Sequence, residues 1–132
     1  MSQSGEVPLK CEHDMVLARQ LVRRLTQQLG FSIVDQTKMV TASSELARNA
    51  LIHGGGGTMH WQLLTGDGRQ GLELLFVDSG PGIPNLELAM TDGWSSGGGL
   101  GMGLSGAKRL VSEFELQSQV GQGTRVTIRR WK

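Results

Sequence analysis

The chain has 132 residues, a formal net charge of +1 and one cysteine, Cys11. A chain of this length can form one domain whose core needs neither disulfides nor a structural metal. Its nearly balanced charge argues against nucleic-acid binding through phosphate contacts. No apolar run approaches the ~18 residues of a membrane-spanning helix, and the N-terminus lacks a secretion signal. The sequence therefore predicts one cytoplasmic domain over residues 1–132, without membrane or nucleic-acid partners.

The first half of the chain has helical spacing. Apolar residues recur at intervals of three and four from Asp14 to Leu29, and Gly30 follows as a stop signal. Ser32, with Asp35 three residues later, predicts the start of a second helix that ends near His53. Residues 1–10 have no periodic pattern and are predicted to be a loose or strand-like lead-in.

The second half alternates as strands do. Residues 85–99 are predicted to be mostly loop. A short helix is predicted over 104–112, and strands are predicted over 58–64, 72–77, 114–120 and 124–131. This order predicts an α/β fold, with a mixed sheet and helices on one of its faces.

Glycine is the unusual residue type. The chain has 20 glycines, and 16 of them lie between Gly54 and Gly106. A typical protein has about 7% glycine, roughly half the proportion found here. Glycine concentrated in one stretch of an otherwise patterned chain indicates a backbone that approaches a ligand closely.

The first motif lies on the second predicted helix. Glu45 and Asn49 are four residues apart and share a face, which His53 extends by one turn. A carboxylate and a carboxamide placed in this way can take a proton and bind a hard cation through oxygen. A solvated polar stripe has the same pattern, so this motif alone does not distinguish the two.

The second motif is Asp78-x-Gly80-x-Gly82, at the end of an apolar strand. Two glycines permit a tight turn and the approach of a flat ligand. A carboxylate beside them can accept a hydrogen bond from an exocyclic amine, such as that of adenine. A strand that simply ends in a Pro-Gly turn would look similar.

The third motif is the glycine-rich stretch 97–104, which runs into the short helix. Backbone N–H groups at such a junction suit phosphate, and a flexible linker is the plainer alternative. Residues 101–106 satisfy G-x-G-x-x-G, but no strand directly precedes them. The acid that a dinucleotide fold requires about 20 residues later is also missing, since residues 117–132 contain none. A P-loop and a Cys/His metal site are also excluded by spacing.

Taken in order, the three motifs resemble the N, G1 and G2 boxes of the GHKL ATPase superfamily. More narrowly, four segments resemble the RsbT-type switch kinases, which are small anti-sigma-factor-like serine/threonine kinases: residues 45–49, 78–84, 86–93 and 97–110. The resemblance implies a Bergerat two-layer sandwich, with a mixed sheet, helices on one face and an ATP lid at about 84–103.

The resemblance also implies roles. Glu45 would be the general base, with Arg48 beside it contacting phosphate or a partner, and Asn49 would hold Mg²⁺. Asp78 would bind the adenine amino group of ATP. The other implied nucleotide-binding positions are His53, Gly80, Gly82, Ile83, Gly98, Gly99, Leu100, Gly101, Met102, Gly103, Leu104 and Thr124.

The implied substrate is a serine or threonine of a STAS-domain antagonist. Phosphorylation would release the kinase to engage the regulatory segment of a PPM-type phosphatase or another output protein. An anti-sigma factor that sequesters a sigma subunit is the alternative, since it would share all three boxes. The catalytic piece of a sensor histidine kinase is disfavoured, because the chain has no room for a dimerisation helix. A degenerate nucleotide binder is disfavoured by the presence of Glu45.

Overall fold

A computed structural model of the chain describes residues 3–80 and 103–132. In chain order the elements are β1 (Ser4–Leu9), α1 (Glu12–Gln28), α2 (Ile33–Ile52), β2 (Gly57–Gly66), β3 (Arg69–Asp78), α3 (Gly103–Arg109), β4 (Glu113–Gln119) and β5 (Gly123–Trp131). Within these two stretches, no helix has both the length and the apolar character needed to cross a membrane.

The helices begin and end near the predicted residues. The Ser32 hydroxyl accepts a hydrogen bond from the Asp35 amide at 3.1 Å and so caps α2 as the sequence predicts. Gly30, with a φ of +80°, lies in the turn between α1 and α2. Glycine adopts this left-handed conformation without the strain that other residues incur, so α1 can stop and the chain can reverse.

The five strands form one sheet in the order β1-β2-β3-β5-β4. Each of the four described strand pairs is antiparallel, which corrects the prediction of a mixed sheet. Two helices separate β1 from β2 in the chain. They bring the start of β2 back to the end of β1, so Leu9 pairs with Gly57. After α3 the chain enters the edge strand β4, and β5 turns back between β4 and β3.

The core lies between the helices and one face of the sheet. In β3 the inward-facing residues Leu72, Leu74 and Phe76 are buried, whereas Leu75 and Val77 between and beyond them are only partly buried. The largest fully buried hydrophobic side chains are Leu9, Val22, Met39, Leu46, Met59, Leu72, Leu74 and Ile128. Burial of Met39 and Leu46 holds α2 against the sheet, and the end of α2 meets the end of β3.

Candidate functional site

Asp78 lies where three parts of the fold meet. It is the last residue of β3 and pairs with Gly57 of β2 on one side and Thr124 of β5 on the other. The Gly80 amide donates a hydrogen bond to Asp78 Oδ1 at 2.9 Å. The predicted Asp78, Gly80 and Thr124 are therefore brought together by the sheet.

Burial raises the pKa of the Asp78 carboxyl above its usual value. The amides of Gly80 and Thr124 and the nearby His53 act in the opposite direction without reversing the shift. A carboxylate has about four lone-pair positions, so the two amides leave some of them available. Asp78 is therefore a half-buried acceptor that can take a hydrogen bond from a ligand amine.

Three glycines allow backbone segments to pack closely around Asp78. A Cβ added at Gly54 would lie 2.5 Å from the Asp78 Cβ, and one added at Gly80 would lie 2.6 Å from the Gly54 Cα. A Cβ at Gly123, whose φ is +100°, would collide with the Asp78 carbonyl oxygen. These approaches exist only because the three positions lack side chains.

The predicted residues of α2 lead towards this point. Glu45 and Asn49 are half-buried and lie one turn apart, whereas Arg48 is exposed. The Asn49 carbonyl accepts the amides of His53 and Gly54 at 2.9 and 3.2 Å, and the helix ends there. The face that carries Glu45 and Asn49 therefore continues to His53, which lies near Asp78.

The oxygen donors on α2 fit a magnesium–nucleotide complex. Residues 3–80 and 103–132 contain no cluster of three histidine, cysteine or acidic side chains that could hold a metal. Mg²⁺ usually keeps several waters and takes one or two protein ligands beside the substrate phosphates. The half-buried Asn49 side chain offers one oxygen donor of this kind.

The strands beside Asp78 contribute residues that sequence reasoning missed. Ser118 donates a hydrogen bond to the Gly123 carbonyl at 3.1 Å, and its Oγ lies 3.1 Å from Thr124 Oγ1. These contacts tie the edge strand β4 to the first residues of β5. Gly54 and Gly123 were also missed, although the glycine run at 54–57 and the Gly121-Gln122-Gly123 turn were visible signals.

Most of the predicted lid lies outside the residues that the structure describes. The positions that fall outside the described residues are Gly82, Ile83, Gly98, Gly99, Leu100, Gly101 and Met102. Gly103 begins α3, and Leu104 is buried in the hydrophobic core with 6% of its surface exposed. Leu104 therefore anchors the start of α3 in the core.

The site and the sheet define a nucleotide-binding class. Residues 34–132 match the family described as histidine kinase-, DNA gyrase B- and HSP90-like ATPase, and the chain belongs to this family. It is 44% identical over 131 residues to the serine/threonine-protein kinase RsbT of Bacillus subtilis (strain 168), covering 99% of this chain and 98% of that protein. The predicted relationship to RsbT-type kinases is thereby confirmed.

Further comparisons agree with this assignment. The chain is 30% identical to the anti-sigma F factor of Geobacillus sp. (strain WCH70), over 86% of this chain and 82% of that protein. Among solved structures, it matches the RsbU and RsbW domains of a Mycobacterium tuberculosis protein with a TM-score of 0.64 and 21% identity, covering 100% of this chain and 33% of that one. The mycobacterial sensor histidine kinase MprB matches with a TM-score of 0.59 and 19% identity, covering 98% and 97%. These structures confirm the two-layer fold.

Proposed function

We propose that the protein is an ATP-dependent serine/threonine protein kinase of a bacterial partner-switching module, acting in the cytoplasm as one domain over residues 1–132. The observation that carries the proposal is the meeting of the end of α2, the helix of Glu45 and Asn49, with the end of β3, where Gly54 lies against Asp78. Its support from comparison is the 44% identity to RsbT over nearly the whole of both chains.

Each residue on this face has a separate role in the proposal. Asp78 accepts the adenine amino group, and Asn49 supplies an oxygen to Mg²⁺. Glu45 takes the proton from the acceptor hydroxyl, as general bases do in phosphoryl transfer. Bound Mg-ATP supplies the phosphoryl group, and residues 97–104 of the lid hold its phosphates through backbone N–H groups. Arg48 is exposed beside Glu45 and contacts the incoming partner.

The proposed acceptor is a serine or threonine of a STAS-domain antagonist. Adding a phosphate to that side chain places about two negative charges in the interface and favours release of the kinase. The released kinase then engages its output, for which the regulatory segment of a PPM-type phosphatase is the proposed type.

Sequestration of a sigma subunit is a second candidate function. It is favoured by the 30% identity to an anti-sigma F factor. In this alternative, nucleotide binding at Asp78 gates the affinity for the sigma subunit and phosphoryl transfer is secondary. Retention of a sigma factor by the purified chain in the presence of ADP would favour this function.

The proposal is tested by intact-mass spectrometry. The chain is mixed with Mg-ATP and a STAS-domain protein encoded beside it, in parallel with Glu45→Gln and a control, Glu12→Gln, in the exposed first turn of α1. We expect a gain of one phosphate on the partner with the wild type and the control. Transfer by Glu45→Gln should be slower by about 10²–10⁴-fold. Undiminished transfer by Glu45→Gln would contradict the base assignment, and no transfer by the wild type would contradict the kinase.

A further inference from the structure

Gly54 differs from the other glycines around Asp78 in what its missing side chain would touch. The nearest atoms to an added Cβ at Gly54 belong to the Asp78 side chain, Cγ and Cβ, followed by the Ala50 carbonyl oxygen at 2.7 Å. At Gly57 and Gly123 the nearest atom is a backbone carbonyl oxygen. Gly54 therefore adjoins the functional carboxyl group itself.

Backbone conformation does not explain a glycine at this position. Gly55, Gly56 and Gly123 have positive φ values, which favour glycine, and Gly54 is not among the positive-φ glycines. An alanine would suit the Gly54 backbone and would normally be tolerated after a helix. Since its methyl group has no space, the constraint at this position is steric.

The clash at Gly54 would be relieved by movement of Asp78. The end of α2 is held by the Asn49 carbonyl, which accepts the Gly54 amide, and by the Ala50 carbonyl, which accepts the Gly56 amide at 2.9 Å. Ala50 is itself buried, with 3% of its surface exposed. Rotation about the Asp78 side-chain torsions would move Cγ away at the cost of the hydrogen bond from the Gly80 amide. The Asp78 Cβ does not move with these torsions, so the end of β3 that carries the carboxyl group would also have to shift.

We propose that Gly54 is a positioning residue that holds the Asp78 carboxylate where it accepts the 6-amino group of adenine, and that it thereby sets the preference for adenine over 6-oxopurines. The inference rests on the proposed function. A 6-oxopurine has an acceptor oxygen at the position where adenine has a donor amine. A carboxylate held beside this position therefore repels the 6-oxo oxygen and weakens binding of that base. A displaced carboxylate would neither accept a hydrogen bond from the adenine amino group nor repel the oxygen of a 6-oxopurine.

Calorimetric titration with Mg-ADP and Mg-IDP tests the preference directly, because the two nucleotides differ at the 6-position of the base. We expect the wild type to bind ADP at least about tenfold more tightly than IDP, since tenfold corresponds to one modest hydrogen bond. Gly54→Ala should lose about tenfold in ADP affinity while IDP affinity changes by less than about threefold. The control is Gly55→Asn, which alters the same turn at a left-handed position where an added Cβ meets nothing within 4 Å.

The outcomes separate the inference from the proposed function. Equal losses of ADP and IDP affinity in Gly54→Ala, or no loss, would overturn the positioning role and leave the kinase proposal standing. A wild type that binds neither nucleotide would overturn both. A loss of the ADP preference in Gly55→Asn as large as in Gly54→Ala would assign the effect to the turn rather than to Asp78.

A thermal-unfolding cycle provides a second test that needs no nucleotide. Gly54→Ala is introduced into the wild type and into an Asp78→Gly background, where the clashing side chain is absent. We expect the melting temperature to fall by several degrees more in the wild type than in the Asp78→Gly background, since contacting residues are non-additive. Equal falls in melting temperature would show that the added methyl group clashes with atoms other than the Asp78 side chain, and would contradict the proposed contact. This test remains possible even if Gly54→Ala is too unstable for titration.

Discussion

The guanidinium of Arg130 lies 2.6 Å from Oδ1 of Asp35, although the two residues are 95 positions apart in the chain. Arg130 also donates a hydrogen bond to the Leu110 carbonyl at 2.9 Å. One side chain of β5 thus joins the first turn of α2 to the residue that follows α3. Because α2 carries Glu45 and Asn49, this contact stabilises the helix from the end opposite the site.

Asp35→Asn should destabilise the fold modestly. The hydrogen bond from Arg130 lowers the pKa of the Asp35 carboxyl. Because 34% of the Asp35 side chain is exposed, solvent screening limits the loss, and we expect about 1 kcal/mol. Chemical denaturation at neutral pH measures this difference, with Asp67→Asn in the exposed hairpin turn as the control.

The effect of Asp35 should depend on pH in a defined direction. A pKa lowered by folding adds stability that is complete above the unfolded pKa of about 3.9 and is lost as the pH falls through the lower folded value. The difference between wild type and Asp35→Asn should therefore be constant near neutrality and shrink below about pH 4. A difference that grows on acidification would contradict the ion pair.

Asp78→Asn should abolish measurable ADP binding. The change preserves shape but replaces an acceptor oxygen with a donor NH₂ group or leaves a neutral acceptor, and either weakens recognition of the adenine amine. Calorimetry measures the loss, and circular dichroism checks that the fold is retained. Full ADP affinity in this variant would refute the adenine role of Asp78.

The pH dependence of ADP binding should report on the same carboxyl. Burial raises the pKa of Asp78, so its ionised form is lost at a higher pH than for an ordinary aspartate. Affinity of the wild type should therefore weaken on acidification while the pH is still above about 3.9. Titrations over a series of pH values, with unfolding monitored alongside, locate this decline.

Asn49→Ala should make nucleotide binding insensitive to Mg²⁺. The alanine variant lacks the side-chain oxygen proposed to bind Mg²⁺, while Asp78 still recognises the adenine ring. We expect the wild type to bind ADP more tightly with Mg²⁺ than with excess EDTA, and the variant to bind equally under both conditions. Unchanged Mg²⁺ dependence would assign the ion to other ligands.

Arg48→Ala should separate partner contact from nucleotide binding. Arg48 is exposed, so its loss should leave ADP affinity and thermal stability close to those of the wild type. The KM for the partner protein should rise with kcat unchanged, because the lost contact binds the partner equally well before and during the transfer step. Arg125→Ala, an exposed arginine of β5, is the control. A fall in kcat alone would instead place Arg48 at the phosphates.

Local patterns in the sequence were sufficient to predict most of the secondary structure. Ser32 caps α2 through a hydrogen bond that spans three residues, and Leu72, Leu74 and Phe76 alternate as one buried face. These features depend on near neighbours, so periodicity and capping rules capture them. The motif at Asp78 was likewise visible, because a strand end followed by glycines is a local signal.

Only the tertiary structure decided which distant segments meet. The pairing of β1 with β2 and of β3 with β5, the ion pair of Asp35 with Arg130 and the contact of Gly54 with Asp78 each join residues far apart in sequence. The glycine run at 54–57 is a local signal of a turn, but it does not show that Gly54 in particular is needed, because that need comes from the Asp78 atoms that face it across the fold. The sequence by itself therefore determined the chemistry available at the site, whereas packing of α2 against β3 determined where that chemistry is held.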